Sequence, residues 1–241
     1  MRLVLMLADD PPIILILAPI VGGILLIALL IAYANHRAKK RTEAFRQLAD
    51  ELGLAFTPSS VGLDDELLAP LQRMPLIRRG STGGLKDLIS GETNAVDLVG
   101  GSFTYTTGSG KNRTVHRHGF FLFVSPQLRL PEMQISREGF GHKLITMMGY
   151  QDIDFADSPD FSKRFLVRGE SEDAIREFLT RDLRDELPSL LDHGRLTLET
   201  HGEAMLVQAG LFKPEQFRER MAEAFAIFAA LRDACEQETR E

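Results

Sequence analysis

The sequence has few of the residues that mark disulfide-built, zinc-built or nucleic-acid-binding proteins. Its 241 residues include one cysteine, Cys235, and no tryptophan. One cysteine excludes an intrachain disulfide and a zinc cluster built on cysteines. The formal net charge is −6, whereas a nucleic-acid-binding domain usually carries a basic excess. The sequence therefore favours a chain with no nucleic-acid partner, long enough to fold around a hydrophobic core.

Charge is absent from one long segment near the amino terminus. Residues 13–34 contain no charged side chain, and as a helix they would extend about 33 Å, against a hydrocarbon thickness of about 30 Å. Pro19, Gly22 and Gly23 would weaken a soluble helix but are tolerated in lipid, where no water competes for backbone hydrogen bonds. The segment predicts a transmembrane helix over residues 13–34 that contacts the lipid bilayer.

A cleavable signal peptide is the alternative interpretation of this segment, because an A-x-A tripeptide of the kind that signal peptidase cuts ends at Ala34. Two features weigh against cleavage. The apolar run is longer than that of a signal peptide, and the stretch before it sets Arg2 against Asp9 and Asp10 where a signal peptide is positive. An uncleaved anchor is therefore favoured.

The flanks of the segment predict its orientation. Positive residues stay on the cytoplasmic side, so we expect residues 1–12 outside the cell (inner) membrane and the domain at 54–241 in the cytoplasm. Apolar residues at helical spacing predict that a juxtamembrane basic helix, residues 35–53, continues the span and ends at Gly53. Its cations would meet anionic headgroups; they are Arg37, Lys39, Lys40 and Arg41.

The rest of the chain predicts an α+β domain with a mostly antiparallel sheet packed by helices. β-Branched and aromatic residues predict a hairpin of strands at 93–106 and 114–124. Local strand neighbours joined by short turns favour α+β over a parallel sheet, and a pleckstrin-homology-like barrel is one such arrangement. Further strands are predicted at 54–58, 127–135, 195–200 and 204–208.

Helices and irregular chain complete this prediction. Pro131 indicates that strand 127–135 lies at a sheet edge, and prolines and glycines predict irregular chain over 69–91. A long C-terminal helix from Pro214 to about Cys235 has an apolar stripe that predicts packing on the sheet, Phe225 included. Other helices are predicted at 139–150 and from 172 to about 184.

The turn of the strongest hairpin carries the main binding candidate. Its Gly108-Ser109-Gly110-Lys111 sequence invites comparison with a phosphate-binding loop, but the required glycine and Ser/Thr are replaced by Tyr105 and Asn112, and a strand follows. A hairpin turn is the favoured interpretation. Nearby cations would form a basic edge able to meet anionic lipid or an acidic partner; they are Lys111, Arg113 and Arg117.

Two histidines on the second strand are the weak metal candidates. His116 and His118 are two residues apart and therefore share one face of a strand. A metal site would need a third ligand from a distant position, for which His142 or His201 is available. A solvated or membrane-facing sheet surface is the favoured interpretation, and no cofactor is indicated.

An enzyme acting at the membrane is the rival hypothesis. Its site would be built from Arg78, Arg79 and the two histidines, or from the loop around Asp152. The DIDFAD segment at 152–157 begins like a calcium loop but lacks the central glycine and the distal glutamate. No catalytic triad, carboxylate dyad or nucleotide fingerprint is present, so an enzyme is less favoured than a binding domain.

The segment from Asp152 to Val167 resembles a recurring block in uncharacterised single-pass membrane-anchored bacterial proteins. The likeness rests on Phe155, Phe165 and Val167 ahead of a helix, on the Tyr105–Gly108 turn and on the amino-terminal span. It implies a bacterial cell membrane and a domain of unknown function, with no catalytic residues to transfer. We therefore expect a membrane-tethered cytoplasmic domain that binds a protein or anionic lipid, or a structural subunit of a membrane complex approached through Gly22-Gly23.

Overall fold

The computed structural model describes residues 13–78, 84–93, 95–138, 152–192 and 196–238. It divides into two compact units, Met1–Glu43 and Ala44–Glu241. The helices are α1 (Ile13–Leu52), α2 (Asp65–Arg73), α3 (Pro75–Arg78), α4 (Pro159–Arg164), α5 (Glu172–Phe178), α6 (Arg181–Leu191) and α7 (Phe217–Glu238). The strands are β1 (Ala55–Ser59), β2 (Leu85–Glu92), β3 (Asp97–Thr107), β4 (Thr114–Val124), β5 (Leu130–Arg137), β6 (Phe165–Gly169), β7 (Thr197–Gly202) and β8 (Ala204–Gly210).

Helix α1 contains the predicted span and the predicted basic helix in one continuous stretch. Among the described helices it alone is long and apolar enough to cross a membrane, and the large apolar side chains between Ile20 and Tyr33 are exposed. It ends where the sequence predicts, because Gly53 adopts a left-handed φ of +68° and the Leu54 N–H donates to the Ala49 carbonyl at 2.9 Å. This is the glycine-terminated helix end expected at a C-cap.

Eight strands form one antiparallel sheet in the order β1-β2-β3-β4-β8-β7-β5-β6. The α+β prediction is confirmed. The described strands form an open sheet with β1 and β6 at its ends, not a closed barrel. Both ends are guarded, since β1 contains Pro58, which has no N–H, and the outer side of β6 accepts a hydrogen bond from Ile153 N–H to Val167 O.

Side chains alternate along β4 into two separate cores. Phe121 and Phe123 enter a core shared with the last turns of α1 and with α5, α6 and α7. Phe120 and Leu122 enter a second core shared with α2 and α3. The sheet is therefore covered by helices on both faces, which explains the long apolar run in this central strand.

The C-terminal helix packs on the sheet as its stripe predicts, except at one position. The ring of Phe228 stacks on Phe123 with centroids 5.3 Å apart, and Phe217 lies 5.3 Å from Phe121. Phe225, predicted to belong to the packed stripe, remains 46% exposed. Its ring lies 6.1 Å from that of Phe123 and 5.5 Å from that of Phe228.

The prediction of irregular chain over 69–91 is wrong. The segment contains the end of α2, all of α3 and most of β2. Pro75 is the first residue of α3, where a helix needs no N–H. Gly91 lies in β2, where an added Cβ would come within 2.5 Å of Leu54 Cδ2, so this glycine permits a close approach and does not break the strand.

Two further boundaries differ from the predictions. Strand β5 is not an edge strand, because it pairs with both β6 and β7, and a register shift between Leu130 and Met133 accommodates Pro131. The helix predicted from 172 to 184 is two helices, since Thr180 Oγ1 accepts a hydrogen bond from Leu183 N–H and starts a new helix. The helix predicted at 139–150 lies outside the described residues.

Candidate functional site

The outer part of the β3–β4 hairpin extends past both neighbouring strands. Strand β8 pairs with β4 only from His118 inward, and β2 pairs with β3 only from Phe103 inward. In the described part of the chain, the rungs from Thr104–Arg117 to Thr107–Thr114 therefore pair only with each other. We call residues 104–117 the hairpin arm.

The turn of the hairpin arm depends on glycine. Gly108 and Gly110 have φ angles of +78° and +57°, which favour glycine. A Cβ at Gly108 would lie 2.2 Å from the Asn112 carbonyl oxygen. Because the turn joins two antiparallel strands and contains only a three-residue 3₁₀ helix, Gly110–Asn112, its backbone is arranged as a hairpin and not as a phosphate-binding loop.

The hairpin arm is cationic and contains no aspartate or glutamate. Lys111, Arg113 and Arg117 are all exposed. The predicted basic edge is corrected in one respect: β3 and β4 are interior strands, so these cations lie at a projecting end and not along a lateral edge. Val115, 53% exposed, shares one face of the arm with Arg117 because it is two residues away on the same strand.

The opposite face of the hairpin arm carries stacked rings that continue into the sheet. Tyr105 stacks on His116 with centroids 4.8 Å apart and on His118 at 5.6 Å, and His118 stacks on Phe103 at 5.6 Å. Thr107 Oγ1 lies 2.8 Å from His116 Nε2. These contacts fix the arm as a rigid extension of the buried sheet.

His118 sits where the hairpin arm joins the sheet. Its Nδ1 lies 2.8 Å from Gln208 Nε2, whose amide N–H donates to it. Burial lowers the pKa of His118 below its usual value of 6.5, and the neighbouring His116 lowers it further, while a backbone hydrogen bond at Ala209 opposes the shift. The imidazole is therefore held in its neutral form.

The remaining metal candidate that the structure describes has a partner of its own. His201 is on β7, where its Nδ1 lies 3.2 Å from Glu132 Oε2, and His142 lies outside the described residues. No group of three or more His, Cys, Asp or Glu side chains able to hold a metal ion occurs among the residues that the structure describes. His116 and His118 are instead engaged in ring stacking and hydrogen bonds.

The residues of the enzyme hypothesis do not come together in the described structure. Arg78 ends α3, and Arg79 lies outside the described residues. Asp152 forms an ion pair with Arg168. Asp157 accepts two hydrogen bonds from the guanidinium of buried Arg184.

Asp157 lies on an open cleft of about 290 Å³ between α4 and α6, which Asp152 and Asp154 do not line. The hydrogen bond from Arg184 holds the pKa of Asp157 below its usual value. The Arg184 guanidinium in turn lies 4.4 Å from the ring centroid of Phe155. The contact with Arg184 therefore gives the Asp157 carboxylate of the DIDFAD segment a structural role.

The juxtamembrane cations follow the predicted span on the same helix. Arg37, Lys39 and Lys40 are exposed, and Arg41 is half-buried. The Arg37 guanidinium lies 5.8 Å from the ring centroid of Tyr33. These four cations are separate in sequence from the hairpin arm, so the chain carries two distinct cationic segments.

One buried carboxylate is not among the residues predicted from the sequence. Glu199 on β7 is 1% exposed; its Oε2 accepts from Leu76 N–H at 2.9 Å and its Oε1 from Gln134 Nε2 at 2.7 Å. It thereby connects β7 to α3 and β5. The signal was an acidic residue within a strand, but its partners lie 123 and 65 residues away and cannot be identified from local pattern.

Comparison with known proteins gives a likeness of fold. No protein-family model matches the sequence, and no curated protein matches it. The fold is similar to the crystal structure of the mycobacterial trehalose monomycolate transport factor A, TtfA, with a TM-score of 0.51 and 11% sequence identity. The similarity covers 80% of this chain and 93% of that chain, so the likeness extends over nearly the whole of the transport factor's structure.

Proposed function

We propose that this chain is a single-pass, membrane-tethered accessory factor that takes part in lipid transport at a bacterial cell membrane. In this proposal residues 1–12 lie outside the membrane and residues 13–34 span it. The domain lies in the cytoplasm and acts by binding, not by catalysis.

The fold likeness carries this proposal. TtfA, which its name identifies as a trehalose monomycolate transport factor, is similar in fold to this protein over 93% of its chain. Shared fold alone does not transfer function, but helix α1 supplies an independent observation, since it is long and apolar enough to cross a membrane. An anchored domain of this fold fits a role beside a membrane transport machine.

The geometry supports binding through a projecting element. Both faces of the sheet are covered by helices, and its end strands are guarded by Pro58 and by Ile153. The exposed hairpin arm projects beyond its neighbouring strands and carries exposed cations with no acidic residue of its own. Surface elements that project from a rigid scaffold are the usual carriers of recognition.

Depletion of the chain in a bacterium that encodes it tests this proposal. Pulse-labelled envelope lipids should accumulate at the cell membrane when the chain is depleted, and the full chain should restore their export. A chain lacking residues 13–34 should not restore it, because the domain would lose its tether. Normal lipid distribution throughout depletion would overturn the proposal.

A structural subunit of a membrane complex is the second candidate. Gly22 and Gly23 have no atoms within 4 Å of the positions that a Cβ would occupy, so another helix could approach closely there. Replacing residues 13–34 with an unrelated single-pass span separates the two roles. Restored lipid export favours a simple tether, whereas failure despite correct membrane insertion favours specific helix packing through this segment.

A further inference from the structure

We propose that the hairpin arm, residues 104–117, docks on the anionic headgroup surface of the membrane. This inference rests on the proposed function only for its membrane tether. It assigns the arm, and not the whole domain, as the lipid-contacting element, and it takes anionic lipid as the partner.

Charge complementarity is the first support. Lys111, Arg113 and Arg117 are exposed within 14 residues that contain no acidic side chain. The whole chain is acidic, with a net charge of −6, so this local cationic surface is opposite in sign to the overall charge. An anionic bilayer attracts such a surface while repelling the rest of the domain.

Exposed aliphatic side chains are the second support. Val115 is 53% exposed on the hairpin arm, and Leu211 is 48% exposed directly after Gly210, the β8 residue that pairs with His118. Cations beside exposed aliphatic groups suit the boundary between headgroups and acyl chains. An acidic protein segment would use the cations but would gain less from these apolar groups, which favours lipid over a protein partner.

Rigidity is the third support. The Tyr105, His116 and His118 rings stack across the base of the hairpin arm, and the turn is fixed by glycines with positive φ. A rigid arm loses little conformational freedom on docking, which strengthens binding.

The expected strength suits a tethered protein. Each Lys or Arg near an anionic membrane strengthens attachment by about fivefold, so three give about a hundredfold. That is weak for a free protein, but a tether makes the second contact intramolecular and raises its effective concentration. The hairpin arm would thus dock reversibly while the anchor keeps the chain in place.

Tryptophan fluorescence of the full chain tests this proposal. The protein contains no tryptophan, so Val115→Trp introduces a single reporter on the hairpin arm. The matched control is Val61→Trp, at a position that is 94% exposed outside the arm. Each variant is reconstituted into vesicles of phosphatidylcholine alone or of phosphatidylcholine with phosphatidylglycerol.

We expect the Val115→Trp emission to shift to shorter wavelength and to be quenched by brominated acyl chains only in the anionic vesicles. High salt should reverse the shift because it screens exposed charges. The Val61→Trp emission should be the same in both vesicles. Val115→Trp emission that stays water-like on anionic vesicles overturns the proposal, as does a shift that requires added membrane proteins, which would indicate a protein partner.

Two charge-reversal variants supply the second part of the test. Reversing Lys111, Arg113 and Arg117 to Glu should weaken docking of the Val115→Trp reporter by more than about a hundredfold, because the three new carboxylates are repelled by the anionic lipid. The control reverses three exposed cations elsewhere, Arg73, Arg129 and Lys163, and should leave docking unchanged. Equal loss in both variants overturns the assignment to the hairpin arm. Loss of docking with intact lipid export would leave the proposed function standing, so the two failures are distinguishable.

Discussion

Two hairpins of the sheet, β3–β4 and β7–β8, are both antiparallel pairs but have opposite surroundings. In the β7–β8 hairpin, β7 also pairs with β5 and β8 with β4, and the turn is closed by a His201–Ala204 rung. In the β3–β4 hairpin, the outer rungs pair only with each other among the described strands. The first is an interior part of the domain, whereas the second projects from it.

Whether a polar side chain is available for binding depends on whether neighbouring elements bury it. Glu199 in the interior hairpin is buried, and Leu76 N–H and Gln134 Nε2 each donate to one of its oxygens, so its side chain links parts of the domain and cannot meet a ligand. The cations of the hairpin arm have no such enclosure and remain exposed. The same fold thus buries the carboxyl group of Glu199 as a structural element and leaves the cations of the hairpin arm available for binding.

The largest effect is expected from Glu199→Leu. It leaves two buried donors unsatisfied, which should lower the free energy of unfolding by about 3 kcal/mol. Glu199→Gln, which keeps one acceptor, is the matched control and should cost less. Urea denaturation of the detergent-solubilised full chain, followed by far-ultraviolet circular dichroism, measures both. A loss equal to that of the control would contradict the role of the carboxylate.

A smaller effect should distinguish the turns of the two hairpins. Gly202 and Gly108 both have positive φ, so alanine at either position costs about 1 kcal/mol. For Gly202→Ala this cost should appear in global unfolding. For Gly108→Ala it is limited by the free energy of opening the hairpin arm alone, despite the added clash with Asn112 O.

Hydrogen exchange measured by mass spectrometry separates these two outcomes. Gly108→Ala should speed exchange of amides in residues 104–117 and leave the β7–β8 amides protected. Gly202→Ala should speed exchange throughout the domain. A uniform increase in both variants would mean that the arm unfolds only with the whole domain.

The smallest effect is a pH dependence at His118. Its pKa is lowered in the folded state relative to 6.5, so the unfolded chain takes up the proton first as the pH falls. Stability from the neutral imidazole is therefore complete above pH 6.5 and is lost as the pH falls from 6.5 through the lowered folded-state pKa. The free energy of unfolding of His118→Asn, measured by denaturation at several pH values, should depend less on pH over this range. A pH dependence equal to that of the unsubstituted chain would contradict the prediction.

Local pattern was sufficient where an element's identity depends on its own residues. The bounds of β4 match the predicted strand at 114–124, and Gly53 ends α1 as predicted. It was insufficient where distant contacts decide. Local pattern places Gly91 in irregular chain. Its role in β2 depends on a tight contact with Leu54, which is 37 residues away in the sequence.

The candidate site could be predicted in composition but not in placement. The exposed cations Lys111, Arg113 and Arg117 are visible in the sequence, as is the alternation that sets Arg117 opposite His116 and His118. Their projection depends on where β8 ends beside β4, which is a pairing over about 90 residues. Strand order of that kind requires the structure.

The guarded ends of the sheet limit how copies of this domain can assemble. With Pro58 in one end strand and Ile153 bonded along the other, neither border readily offers a row of amide and carbonyl groups to another molecule. Crowded copies would resist polymerising into extended ribbons through these two borders.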